Sequence, residues 1–372
     1  MKICTITCHD VYNHGASLQA YALMTYLKKC GNYVKIIDYK PDYLSNHYKL
    51  SIIANPKWEK NILTKIIYLT LKFPRRLIDL RRKRAFDKFT NKYLQLTDRR
   101  FTSNNDIRKN LPQADIYICG SDQIWNSLHK NGRDPAFYLD FVPDSKIKAS
   151  YAASIATDSI ANEYKKMVKS KVERLDAVGI REKSGVKIIK ELGIEKAVQV
   201  MDPVFLLSAD EWNEIGIETF NDDYILVYDF DKSSLIQKIA LDIAKEKSYK
   251  IYTINSDNHK YSDKSFRFSS PEKFVSLVRD AKFVVSNSFH AVVLSLIYNK
   301  QFAIINRTEA INTRMRDLLE DMNLKDRLVN EEYKLNDILA TIDYTKVNKI
   351  LEIKIEESKK YLENLQSCEL RG

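Results

Sequence analysis

The chain has 372 residues, 44% of them hydrophobic and 29% charged, with a formal net charge of +11. Those figures describe a folded globular protein with room for two cores; with only 9 glycines and 8 prolines, a disordered, collagen-like or mucin-like chain is excluded. No run of about 18 uncharged apolar residues marks a transmembrane helix, no signal-peptide pattern opens the chain, and five scattered cysteines fit free thiols in a reducing cytoplasm better than a metal site.

In chain order, residues 3–7 read as a strand. The polar turn His9-Asp10-Val11-Tyr12-Asn13-His14-Gly15 follows, then a helix over 16–30 with Gly31 as its stop signal. Residues 33–39 form the next strand. The stretch 62–73 mixes isoleucine, leucine and phenylalanine with lysines, ahead of Arg75-Arg76 and Arg81-Arg82-Lys83-Arg84. It reads first as a core-packing helix with a solvated basic face, and second as an interfacial helix on an anionic membrane. Strands follow at 114–119 and 149–153, helices near 160–176 and 184–192, and a strand at 177–180 that ends at Arg181. After Asp202-Pro203 a second alternating set begins, with strands at 224–228, 250–253, 283–285 and 302–305. A long charged helix is expected near 345–367. Two successive βαβ-type halves favour parallel sheets in an α/β fold.

Polar clusters stand where several of these strands end. The most informative is Ser286-Asn287-Ser288-Phe289-His290, between a short apolar run and a helical pattern. In open α/β sheets, ligands lie outside the carboxyl ends of strands, where helix N-termini offer backbone N–H groups to anions. Asn287 or Ser288 is a natural N-cap, which sets His290 in the first helical turn. Small polar residues also cap helices that bind nothing, so a structural reading stays open for this segment. In Gly120-Ser121-Asp122-Gln123-Ile124-Trp125-Asn126, an indole beside amides suits a sugar-binding edge; Trp125 as a core anchor under the loop is the competing reading. The basic excess has no nucleic-acid-binding motif beside it. An anionic membrane surface or a diphosphate-bearing lipid substrate accounts for it instead.

Taken in order, several segments resemble the polysaccharide pyruvyl transferase family. They are Asn13-His14-Gly15-Ala16-Ser17-Leu18-Gln19-Ala20-Tyr21-Ala22-Leu23, Gly120 through Asn126, Ser150-Tyr151-Ala152-Ala153-Ser154, Arg181-Glu182-Lys183-Ser184, Asp202-Pro203-Val204-Phe205-Leu206-Leu207, Asn287-Ser288-Phe289-His290-Ala291 and 314–318. The resemblance implies two Rossmann-like domains facing across a cleft, as in GT-B glycosyltransferases. Residues 1–203 would form the acceptor side and 204–344 the phosphoenolpyruvate side, with 345–372 packing back on the first domain. It also implies transfer of pyruvate from phosphoenolpyruvate, a co-substrate and not a cofactor, to a hexose of a cell-surface polysaccharide repeat as a ketal. The acceptor would ride on a polyprenyl diphosphate lipid, and the protein would be cytoplasmic, at the inner face of the membrane. This chain departs from the family pattern in having His14 for Tyr, Asn287 for an acidic or other polar residue, Ser288 for Arg in some members, and Ala291 for Gly.

Phosphoenolpyruvate carries a carboxylate and a phosphate, so its site needs guanidinium groups and helix amides. On the resemblance, Arg181, Asn287, Ser288, His290, Arg307 and Arg314 are expected to bind it. His290, a general acid for the enol carbon, and Arg181 are the catalytic candidates. Asn13, His14, Asp122, Gln123, Trp125 and Asn126 are the acceptor candidates, and no metal-ligand cluster is evident. A GT-B glycosyltransferase using a nucleotide sugar, or a non-catalytic glycan-binding protein, are the other readings.

Overall fold

The computed structural model describes residues 1–45, 61–254 and 260–367. Two separate parallel sheets organise them. The first contains β1 (Lys2–Ile6), β2 (Tyr33–Tyr39), β3 (Leu96–Phe101), β4 (Ile116–Cys119), β5 (Ile147–Ala153), β6 (Ala177–Ile180) and β7 (Ala197–Gln199), in the order β3-β2-β1-β4-β5-β6-β7. The second contains β8 (Tyr224–Tyr228), β9 (Lys250–Thr253), β10 (Lys264–Ser265), β11 (Phe283–Ser286) and β12 (Gln301–Ile304), in the order β10-β9-β8-β11-β12. Both sheets reverse winding direction at an inner strand pair, β1/β4 and β8/β11, the place where open α/β sheets bind ligands. The expected pair of Rossmann-like units is therefore the observed architecture.

The central strands are apolar and buried on both faces, as parallel strands covered by helices must be. Tyr224–Tyr228 and Phe283–Ser286 have no exposed residue. β3, β7 and β10 escape the sequence reading for a physical reason. β3 (LTDRRF) lies at a sheet edge, where one buried Phe101 suffices and charge deters edge pairing. β7 and β10, at the other edges, have three and two residues, too few to show a period.

Helix His14–Lys29 shows how local chemistry fixes an element. Asn13 caps it, its side chain accepting from the Ala16 N–H at 3.3 Å. Gly31 ends it at φ +81°, with its N–H on the Lys28 carbonyl and the Asn32 N–H on Leu27, a Schellman pattern. The helix is buried on nearly all sides because it lies between the two sheets. It packs on the turn Pro203–Leu206, and its Tyr21 ring meets Trp212 at 5.7 Å. One apolar cluster accordingly runs from Ile3 and Leu18 through Val204 and Trp212 to Val284 and Leu294. Helix Tyr344–Asn364 returns to the first sheet: the Ser358 hydroxyl accepts from the Met201 N–H at 2.8 Å, and Tyr361 donates to the Ser150 carbonyl at 2.8 Å.

Helix Ile62–Tyr93 corrects an expectation. Phe86 and Phe89 in its second half are buried, but Ile62, Ile66, Ile67, Leu71 and Phe73 stand in solvent, so residues 62–73 are not a core-packing helix.

Candidate active site

Four strand ends, those of β4, β6, β7 and β11, and the starts of two helices converge at the junction of the two sheets. Arg181 leaves β6, and its guanidinium is buried. Nη1 donates to Asp202 Oδ2 at 2.7 Å, and the face lies over the Phe289 ring at 4.6 Å. Nε and Nη2 have no hydrogen-bond partner among the described residues. Those two atoms form the side edge of the guanidinium fork, the edge that grips a carboxylate or phosphate with two parallel bonds. Asp202 lies beyond β7 and caps the turn Pro203–Leu206, its Oδ1 accepting from the Val204 N–H at 3.0 Å.

His290 enters from the second sheet, in the first turn of helix Phe289–Ile297, whose N-cap is Ser288. Its Nε2 is 3.5 Å from Asp202 Oδ2, an ion-pair distance too long for a good hydrogen bond, and has no other hydrogen-bond partner among the described residues. The imidazole rests on the backbone of Gly15, where any Cβ would overlap the ring. Only glycine permits that approach.

Arg314, in helix Thr313–Asp321, completes the group. Its guanidinium is over the same Phe289 ring at 5.5 Å and its Nη1 is 3.6 Å from Asp122 Oδ1, which is itself 3.8 Å from Arg181 Nη2. The Gln123 carboxamide faces the Arg314 guanidinium, within 2.9 Å of Nη1 and Nη2, and in the orientation that satisfies these donors its oxygen accepts from both. The Asp122 turn is held from below by Gln19, which accepts from the Ser121 N–H at 3.0 Å, while Thr7 donates to the Ser121 carbonyl. Glu182 takes three donors, the Ser154 hydroxyl and the Ile155 and Ala156 N–H groups, and so fixes the loop after β5.

The electrostatics follow from burial and neighbours. Burial opposes the charge on Asp202, but His290, Arg181 and the Val204 N–H outweigh it and hold the carboxyl well below the usual range. Burial also opposes charge on Arg181, yet Asp202, Asp122 and Glu182 raise its pKa above the ordinary value. Arg314 moves the other way, to about 10, through burial and then the neighbouring Arg181. Two cations and a histidine are thus ringed by three carboxylates, and the side edge of Arg181 is the donor surface they leave.

Several expected site residues serve elsewhere. His14 is fully buried: its Nδ1 is 3.0 Å from the Tyr228 hydroxyl and its Nε2 3.0 Å from the Ser269 carbonyl. It is a bridge between the sheets and not an acceptor contact. Trp125 is fully buried, stacked on Tyr138 at 5.5 Å and donating to the Phe137 carbonyl, so the core-anchor reading is the correct one. Asn126 is equally buried and closes its own turn by accepting from the Leu128 N–H. Asn13 is occupied as a helix cap. Asn287 clamps a loop, accepting from the Phe230 N–H and donating to Asp229. Ser288 caps its helix, accepting from the Ala291 N–H. Arg307 is tied to both oxygens of Asp231, at 2.9 and 3.0 Å, and lies over Phe230. Of the twelve candidates, Arg181, His290, Arg314, Asp122 and Gln123 come together.

Asp202, Glu182, Phe289 and Gly15 carry the site without having been assigned roles. Their signal was present in the quoted segments, where an acid precedes proline at Asp202 and another acid follows Arg181. Partners far apart in sequence gave those residues their purpose.

Comparison with known proteins bears on the fold and the family. No curated protein sequence matches the chain. Among solved structures, a Listeria monocytogenes protein described as a UDP-N-acetylglucosamine 2-epimerase superposes with a TM-score of 0.53 at 10% identity, covering 97% of this chain and 90% of that one. Spinosyn forosaminyltransferase SpnP gives 0.49 at 11% identity, covering 97% and 95%. The UDP-GlcNAc 2-epimerase of Methanocaldococcus jannaschii gives 0.45 at 12%, covering 95% and 93%. The first of these establishes the GT-B-like fold. The family profile of polysaccharide pyruvyl transferases matches residues 13–309, which include Gly15, Asp122, Arg181, Asp202 and His290, and this chain belongs to that family.

Proposed function

We propose that the protein transfers the enolpyruvyl carbons of phosphoenolpyruvate to a sugar of a surface glycan, carried on a lipid diphosphate, as a pyruvate ketal. The observation that carries this reading is the Nε/Nη2 edge of Arg181, without a hydrogen-bond partner among the described residues, together with His290 Nε2, which shares Asp202 Oδ2 with that guanidinium. A small dianion or trianion with a planar carboxylate suits such an edge, and Arg314 adds a second guanidinium that also lies over the Phe289 ring and approaches the same Asp122 carboxylate.

The chemistry follows. Arg181 and Arg314 hold the carboxylate and phosphate, and His290 gives a proton to the methylene carbon, which becomes a methyl. A sugar hydroxyl bonds to the neighbouring carbon as phosphate leaves with its bridging oxygen, and a second hydroxyl of the same sugar closes the ketal. Of the two hydroxyl protons, one restores the histidine and the other departs with phosphate. Asp202 positions this machinery by gripping Arg181 and standing beside His290 from one buried carboxylate.

A second reading has the fold in its favour. A cleft between two Rossmann-like units serves nucleotide-sugar transfer equally well, and the Listeria structure carries the name of a UDP-sugar enzyme. Both readings meet one experiment. The protein is incubated with phosphoenolpyruvate and a panel of lipid-linked hexosides, and products are read by mass spectrometry for added pyruvate, with phosphate release in parallel. Thermal stabilisation by nucleotide sugars and none by phosphoenolpyruvate, with no pyruvylated product, would transfer the assignment to the second reading.

A further inference from the structure

Helix Ile62–Tyr93 has 32 residues, and its two halves meet different surroundings. The second half is bolted to the body by Phe86 and Phe89, and by Arg82 donating to the Tyr12 carbonyl at 3.0 Å. In the first half, Ile62 is 76%, Leu71 69% and Phe73 50% exposed, with Ile66 and Ile67 also in solvent. At 3.6 residues per turn these five fall within an arc of about 180°. Exposed Lys65 lies outside that arc. Isolated exposed apolar residues need no explanation, but five on one side of a projecting helix do.

The same arc continues along the second half as Arg81, Arg84 and Lys88, all exposed. Over its whole length the helix carries ten lysines and arginines against two aspartates. The exposed face is therefore apolar for three turns and then basic. A second copy of the chain is a poor occupant, because pairing these faces in register would set like charges together. A protein-free anionic bilayer surface satisfies both halves: acyl chains for the isoleucines, leucine and phenylalanine, and headgroup phosphates for the arginines and lysine.

We propose that the face of helix Ile62–Tyr93 bearing Ile62, Ile66, Leu71, Phe73, Arg81 and Arg84 seats the protein on an anionic lipid bilayer. Among the described residues no helix is long and apolar enough to cross a membrane, so this attachment lies in the interface. The inference extends the reading of a lipid-carried acceptor, but it is tested without any substrate, so the two stand or fall separately.

The test is co-sedimentation of the full chain with vesicles of phosphatidylcholine alone, and of equal parts phosphatidylcholine and phosphatidylglycerol. The parent should partition onto the anionic vesicles and be released by salt. Ile66→Asp with Leu71→Asp should lower partitioning by more than about tenfold. Arg81→Gln with Arg84→Gln should lower it roughly thirtyfold at low salt. Both double variants alter exposed positions, and unchanged melting temperatures will show that they fold. Parent protein remaining in the supernatant with anionic vesicles, or either variant binding as well as the parent, would overturn the proposal. A dimer in sedimentation velocity that Ile66→Asp dissociates would also overturn it, by giving the face to a second copy.

Discussion

His14 and His290 occupy nearly the same local context and do different work. Each follows a strand and a small polar turn, each stands in the first turn of a helix, and the two turns meet where the His290 ring rests on Gly15. His14 has both ring nitrogens satisfied, by Tyr228 and Ser269, and is packed between Phe86 and Phe274. His290 Nε2 has no hydrogen-bond partner among the described residues and stands 3.5 Å from a buried carboxylate that also holds the Arg181 guanidinium. A histidine in this position becomes a strut when its partners are neutral acceptors and donors. It becomes a candidate acid when its partner is a charge and its hydrogen bond is left unmade.

The sharpest way to break that contrast is to exchange the losses. His290→Gln should keep its melting temperature and lose turnover by about a hundredfold to ten-thousandfold, because a glutamine cannot pass the proton. Turnover near the parent level would leave His290 as an anion-binding donor only. Arg181→Ala should weaken phosphoenolpyruvate binding by roughly ten- to a hundredfold, with Arg181→Lys recovering part, since a point charge cannot reproduce the fork. Calorimetry with phosphoenolpyruvate alone reads this; equal affinity in the alanine variant would move the anion to Arg314.

His14 sharpens the comparison through pH. Burial first, then Arg82, push its pKa down to about 3, against an opposing contribution from the Ser269 carbonyl. In the unfolded chain it titrates near 6.5. The unfolded state therefore binds the extra proton between those values, and stability falls as pH is lowered from about 6.5 toward 3. The melting temperature of His14→Asn should be lower than the parent's at pH 7, with the gap narrowing as pH falls through that window. A constant gap would show that His14 does not stay neutral in the fold.

The smallest expected effect concerns Asp122, whose carboxylate stands between Arg181 and Arg314 at 3.8 and 3.6 Å. An incoming anion competes with it for both guanidinium groups. Asp122→Asn should tighten phosphoenolpyruvate binding by a fewfold, as one opposing charge is removed. Weaker binding in the asparagine variant would mean that Asp122 orients Arg314 more than it repels the ligand.

Much of the fold was legible in the residues themselves. Apolar runs ending in small polar turns marked the inner strands, Asn13 and Gly31 bounded the first helix, and the alternation of elements implied two parallel sheets. The positions of Arg181 at a strand end and His290 at a helix start were readable for the same reason: local hydrogen bonding and periodicity fix where a strand stops and a helix begins. What a polar side chain faces depends on elements far away in the chain. Trp125 became a core anchor because Tyr138 stacks on it, and Asn287 a loop clamp because Asp229 reaches it from β8. Asp202 became the centre of the site because β7 and helix Phe289–Ile297 deliver their ends to one point. The exposed face of Ile62–Phe73 was likewise undecidable from its pattern, since an amphipathic stripe looks the same whether a core or a membrane covers it. The residues by themselves determined the inner strands and the helix starts but not the edge strands β3, β7 and β10; only the packing of the two sheets decided which polar groups were left with a hydrogen bond to give.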